Sequence, residues 1–271
     1  MMNRRDLFGA MVVGAGVSAS LVSAASAQAP APAAGSRLAR ILDNGVLRVG
    51  TTGDFNPMSF RDTTTNTYQG YDIDALTALA KELDVKVEWV ATEWATLTAG
   101  LSADRFDIFS GASISIPRAR VAAFSVPYAE VGTVPLALKA NAGRFADWGA
   151  INADGVKVAV SLGTVFEQQA RQHFPSATIQ AVQSPATGFQ EVLAGRADVT
   201  ITSNIEAASL VNQFKDLEVL VPASELRNRR PLAYVVGQED LVWLNFVNTW
   251  TTLRRTEGFF DDLGHKWLGR A

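Results

Sequence analysis

From residue 45 onward, short apolar runs alternate with stretches whose apolar residues recur at helical spacing. Residues 46–50 (VLRVG) read as a buried strand. Residues 72–83 set Ile73, Leu76, Leu79, Ala80 and Leu83 on one helical face. Residues 85–90 put Val85, Val87 and Trp89 on one strand face, and a short helix over 96–104 and a short strand over 107–110 follow. Further strands are predicted at 134–138, 156–160 and 199–202, with helical patterns at 165–174 and 188–194. Strands alternating with helices predict α/β sheets with parallel strands. Such sheets place ligands beyond the carboxyl ends of their strands. Four polar clusters sit at such ends: 51–54 (TTGD), Ser110-Gly111, 161–164 (SLGT) and Thr202-Ser203-Asn204. Their distribution predicts two lobes sharing one cleft.

Composition narrows the chemistry. The 271 residues carry 24 basic and 27 acidic side chains with no basic run, which argues against a nucleic-acid partner that works by phosphate neutralisation. There is no cysteine, so disulfides, thiolate catalysis and cysteine-ligated metals are excluded. The two histidines, His173 and His265, fall on helical patterns in no metal-ligand spacing. Gly50–Gly53 lacks the Lys-Ser/Thr of a phosphate loop. No cofactor is expected.

The N-terminus reads as an address. Arg4 and Arg5 precede a weakly apolar stretch over 7–22, and Ala25-Ser26-Ala27 is a small-x-small cleavage signal. The paired arginines resemble a twin-arginine export signal, with a general secretory signal as the alternative. Residues 1–27 are read as a cleaved signal peptide and 28–39 as linker, with Pro/Ala-rich 28–35 (QAPAPAAG) disordered. No later stretch is apolar enough to span a membrane. The expected product is periplasmic, with no stable membrane insertion, and is read as a monomer.

Several segments together resemble the family 3 extracytoplasmic solute-binding proteins, the polar-amino-acid-type receptors of ABC importers. They are LRVGTTGDFNPMSF (47–60), GYDIDALTALAKEL (70–83), Trp94 with its following leucines, DRFDIFSG (104–111), PRARVAAFSVPY (117–128), GTVFEQQA (163–170) and GRADVTITSNIEA (195–207). The resemblance implies a two-lobed periplasmic-binding-protein-like fold (type II). Lobe 1 would take 40–132 plus 237–271 and lobe 2 133–236, with crossings near 132–138 and 231–236 and C-terminal helices from about Glu239. It also implies a small-molecule ligand, closure by hinge motion and an ABC permease as partner. Within the family, Gly-Thr-Thr-Gly-Asp at 50–54, Trp94, the 104–108 run and Ile205-Glu206-Ala207 are similar to a branch of enzymes, the cyclohexadienyl dehydratases. These convert prephenate or arogenate with loss of water and carbon dioxide.

The resemblance assigns roles residue by residue. Arg118 would clamp a ligand carboxylate, since a planar guanidinium can make two parallel bonds to one, and Ser113 would add a hydroxyl. Ser110 and Gly111 belong to the same motif. Phe55 and Trp94 would be aromatic walls, and Thr164, Ser203 and Asn204 would meet the ligand from lobe 2. Amino-acid receptors of this family carry an aspartate where Ser203 stands, to pair the α-ammonium. Its absence argues for a keto or hydroxy acid, or a substituted ammonium, unless Asp54 or Glu206 supplies the counter-charge. Glu167 has two readings. It aligns with the expected general acid of the dehydratases, and Thr164-Val165-Phe166-Glu167 is also a capping box.

Overall fold

The computed structural model describes residues 32–269. The export signal and its cleavage site lie outside the described residues, as do linker positions 28–31. Helix α1 (Arg37–Asn44) starts inside the stretch read as linker. Its apolar Leu38 and Ile41 are buried, Ser36 Oγ accepts from the Ala39 amide, and Gly45 closes it in the left-handed conformation.

The first part continues through β1 (Val46–Thr51), β2 (Asp54–Phe55), β3 (Ser59–Arg61), β4 (Tyr68–Gln69), α2 (Tyr71–Glu82), β5 (Lys86–Ala91), α3 (Leu97–Ser102), β6 (Ile108–Ser113), α4 (Ile116–Ala119) and β7 (Ala123–Phe124). The long strand β8 (Ala129–Leu138) leads to α5 (Lys139–Ala142), α6 (Trp148–Ile151), β9 (Lys157–Ser161), α7 (Val165–His173), β10 (Thr178–Val182), α8 (Gly188–Leu193), β11 (Val199–Ser203), α9 (Asn204–Gln213) and β12 (Leu217–Val219). A second long strand, β13 (Arg227–Val236), brings the chain back to α10 (Leu241–Thr256) and α11 (Phe259–Leu268).

The strands lie in the order β10-β9-β11-β8-β13-β6-β1-β5, with β12 beside β8 and β7 beside β13. β1 runs parallel to β5 and β6, and β9 runs parallel to β10 and β11. Each trio is a parallel half-sheet of the kind the alternating pattern predicts. The long strands β8 and β13 pair antiparallel and join the two halves. A small separate sheet, β2-β3-β4, stands beside the first half.

Each half has its own main apolar core, and the first half adds a smaller cluster around Phe106 and Phe109. One is built on Leu47, Val49, Leu76, Leu79, Ile108, Tyr234, Trp243 and Trp250. The other is built on Leu136, Val158, Val160, Val192, Val199, Ile201 and Leu210. Full burial of a side chain such as Leu76 contributes about 1.5–3 kcal/mol. Helix α2 buries Ile73, Leu76, Leu79 and Ala80 as its periodicity requires.

The acidic residues of 104–107 serve this frame. Asp107 Oδ1 lies 2.7 Å from Arg48 Nη2 and 2.9 Å from Arg40 Nη2, and Asp104 meets Arg37, Arg40 and Arg48. The pairing raises the Arg40 and Arg48 pKa values through their bonds to the two aspartates and holds Asp104 below the ordinary carboxylate range. This cluster anchors α1 at the start of β6, whereas Ser113 and Arg118 follow the strand's other end. No described helix is long and apolar enough to cross a membrane.

Candidate functional site

A cavity with an empty volume of about 630 Å³, partly open to solvent, lies between the two halves. Asp54, Phe55, Trp94, Ser113 and Arg118 line it from the first half. Ser161, Thr164, Phe166, Thr187, Phe189, Thr202, Glu206 and Leu210 line it from the second. Aromatic and aliphatic side chains share its walls with hydroxyl and charged groups.

Local structure explains the placement. β1 and β6 end at the cavity, so the loop carrying Asp54 and Phe55 and the turn carrying Arg118 project into it. Arg118 is the only cationic side chain among the described lining residues. Its Nη1 donates to Ser113 O and its Nη2 to Gly163 O, each at 3.2 Å, and its Cζ lies 5.8 Å from the centre of the Trp94 ring. Burial, with a smaller contribution from Arg230, lowers its pKa to about 10. It remains a cation at neutral pH.

Phe55 and Trp94 meet edge to face, 6.0 Å between centroids. Asp54 is heavily engaged. Its Oδ1 accepts from Thr52 Oγ1 and from Trp94 Nε1 at 2.8 Å, and its Oδ2 accepts from Ser184 Oγ of the second half. Thr164 lines the cavity and caps α7 by accepting from the Glu167 amide at 3.2 Å.

Four other expected residues lie outside the lining. Ser110 and Gly111 sit earlier in β6, buried in the first half. Gly111 has φ +127, and a Cβ there would meet Tyr128 Oη at 2.1 Å and Asp72 Oδ2 at 2.8 Å. Its lack of a side chain serves packing. Ser203 is fully buried and caps α9, its Oγ accepting from the Glu206 amide at 3.0 Å. Asn204 Oδ1 accepts from the Gly132 amide at 2.8 Å, tying α9 to β8. The helix start needs the Ser203 acceptor, and the β8 amide takes the Asn204 oxygen, so each side chain is engaged away from the cavity.

Glu167 also lies outside the lining. Its Oε2 accepts from the Gly163 amide at 2.7 Å and its Oε1 pairs with Arg171 at 3.0 Å. Thr164 thus caps the helix, while Glu167 reaches the Gly163 amide one residue before the cap and the Thr164 amide goes to Ser161 O, so the reciprocal capping box is not closed.

The second-half carboxyl that lines the cavity is Glu206. Thr202 Oγ1 donates to it, and its pKa is pushed up to about 8, mainly by desolvation, with the Asp54 charge adding to the rise and the Thr202 bond opposing it. At neutral pH it is a neutral acid. The Ser-x-x-Glu spacing at 203–206 marks a helix start and says nothing of where this side chain points. Thr187 and Phe189, also outside the sequence-based set, arrive on α8 and the loop before it.

A parallel-sheet cleft between two halves, with one buried guanidinium and aromatic walls, defines a two-lobed solute-binding protein. The chain belongs to the bacterial extracellular solute-binding proteins, family 3, whose model matches residues 47–270. It is 34% identical over 249 residues to the cyclohexadienyl dehydratase of Pseudomonas aeruginosa, covering 92% of this chain and 90% of that one. It is 29% identical over 233 residues to the L-cystine-binding protein TcyJ of Escherichia coli strain K12, covering 86% of each. Among solved structures it is similar to the ancestral amino acid-binding protein AncCDT-1, a precursor of cyclohexadienyl dehydratase. The TM-score is 0.80 at 38% identity, covering 86% of this chain and all of that one. The family comprises extracellular binding proteins for small solutes.

Proposed function

We propose that the chain is the periplasmic substrate-binding protein of an ABC importer and that its cleft takes a small organic anion through Arg118. The observation that carries this reading is the charge inventory of the cavity. Arg118 is the one cation in the described lining, Asp54 is taken up by three donors from the protein, and Glu206 is neutral at pH 7. A ligand carboxylate finds a partner there. An α-ammonium finds no free anion unless it first draws the proton from Glu206. A keto or hydroxy acid with an apolar body, or a zwitterion with a substituted ammonium, fits the guanidinium and the Phe55 and Trp94 walls. The amino-acid-binding relatives support the receptor role, and a membrane permease would be its partner.

Thermal unfolding of residues 28–271 against amino acids, keto and hydroxy acids, betaines and prephenate tests the reading. A ligand at a thousandfold its dissociation constant adds about 4 kcal/mol, or roughly 8–16 °C at this size. A shift with a small anion supports it, and a response to standard amino acids alone would refute it.

Glu206 favours a second reading, a carbon–oxygen lyase of the cyclohexadienyl dehydratase type. A neutral carboxyl in a desolvated cleft suits a general acid. Arg118 would hold the substrate carboxylate, and Glu206 would protonate the departing hydroxyl. The electron pair of the ring carboxylate, lost as carbon dioxide, would enter the ring and make it aromatic as water leaves. Phenylpyruvate formation from prephenate that disappears in Glu206→Gln and survives in Glu167→Gln would establish this reading. Absence of turnover in the parent chain would end it.

A further inference from the structure

The cleft has a second compartment. A groove at the mouth, lined by Arg61, Tyr68, Glu93 and Gln213 among others, shares Asp54, Thr187 and Phe189 with the inner cavity. A solute that enters along this groove passes the point where Asp54 of the first half meets Ser184 of the second. Ser184 borders the groove and not the inner cavity.

We propose that Ser184 and Asp54 form a clasp that holds the two halves closed and keeps Trp94 in place beneath Arg118. Three observations converge on it. Ser184 Oγ donates to Asp54 Oδ2 across 130 residues of chain, so the bond exists only while the halves are together. The other oxygen of the same carboxylate accepts from Trp94 Nε1 at 2.8 Å, and the Trp94 ring lies 5.8 Å from Arg118 Cζ. One hydroxyl of the second half therefore reaches the anion-binding arginine through two side chains. Next along the chain, Gln183 Nε2 bridges Glu93 Oε1 and Oε2 at 3.0 and 3.1 Å, which guides the same two segments together.

Environment decides which contact matters more. The Gln183–Glu93 bonds are solvent-exposed, where such contacts are weak. The Ser184–Asp54 bond is partly buried, and hydrogen bonds to charged groups are the stronger class. Ser184 is thus a positioning residue, acting on the solute through Asp54 and Trp94. The same arrangement explains why Asp54 is not offered to a ligand ammonium. The proposal rests on the reading of the cavity as the solute site, but its test needs no solute.

The chain has no cysteine, so two labels can be placed cleanly. Thr63→Cys and Gln213→Cys carry exposed nitroxides on opposite sides of the groove. Pulsed electron–electron resonance on the solute-free protein then reads the separation of the halves. The parent chain should show a dominant short distance. Ser184→Ala and Asp54→Asn should shift the closed-to-open ratio toward the long distance by about 10- to 100-fold, the worth of one bond to a charged group. Ser184→Thr, which keeps the hydroxyl, should restore the short distance, and circular dichroism should show all three folded. An unchanged distribution in Ser184→Ala and Asp54→Asn, or a parent chain already at the long distance, overturns the clasp. The receptor reading is untouched by either result, since ligand-induced stabilisation tests it separately.

Discussion

Arg118 Nη2 lies 3.2 Å from the carbonyl oxygen of Gly163, so a guanidinium from the first half rests on the backbone of the second. Gly163 can approach that closely because it has no side chain: at φ +78, a Cβ would meet Ala95 Cα at 2.4 Å. The proposed ligand anchor is therefore also a contact between the halves.

Arg118→Ala should cut affinity for the anion found in the stability panel by roughly 30-fold to several thousand-fold, the range for truncating a buried charged partner. Arg118→Lys should recover part of it, because a point charge cannot keep two bonds in one plane. Isothermal titration checks both. Equal affinity in parent and Arg118→Ala would remove Arg118 from the site.

The Glu206 pKa sets a pH dependence. Its folded value of about 8 lies above its ordinary 4.5, so the folded state holds the proton more tightly than the unfolded chain. Its stabilising contribution is complete below pH 4.5, declines as pH rises, and is gone above about 8. Glu206→Gln should flatten that decline, gaining on the order of 3–5 kcal/mol relative to the parent between pH 4 and 9. Denaturant unfolding across that range checks it. Parallel curves for the two proteins would show that the carboxyl is not held neutral.

Glu167→Ala should behave as the loss of an acceptor for the Gly163 amide and of the Arg171 pair at the start of α7, with the Thr164 cap intact. We expect a destabilisation of about 0.5–1.5 kcal/mol, the net worth of a typical hydrogen bond, and no change in solute affinity, read by urea unfolding and titration. A large loss of binding with little loss of stability would return Glu167 to the site.

Asp72 is fully buried near Tyr128 and the backbone of Gly111, and desolvation raises its pKa well above the ordinary value. The sign matches that of Glu206, with stability lost as pH rises above about 4. Asp72→Asn should make the melting temperature less sensitive to pH on the alkaline side. Gly111→Ala should cost about 2–4 kcal/mol, because its Cβ collides with Tyr128 and Asp72, and lower the melting temperature by roughly 5–15 °C. Scanning calorimetry reads both.

Periodicity made much of the frame legible. The patterns over 46–50, 72–83 and 199–202 became β1, α2 and β11, with ends displaced by a residue or two. β2 to β4 are too short to carry a period, and β10 is only half-buried, so its alternation is faint. The cleft was legible where one motif carries a whole loop, as with Asp54, Phe55, Ser113 and Arg118. It was not legible at the two Ser/Thr-x-x-Glu helix starts. Glu167 reaches back to the Gly163 amide, and Glu206 turns toward Thr202 and the cavity. Identical local spacing gives opposite outcomes because each carboxylate finds a different neighbour, the Gly163 amide for Glu167 and the Thr202 hydroxyl for Glu206. Ser184 escaped because its partner lies 130 residues away.

The two main apolar cores are largely separate, and most of the polar groups that face the cavity belong to neither. Cavity-facing side chains can therefore change with little penalty to folding. In a frame so built, divergence would accumulate first along the seam where the halves meet.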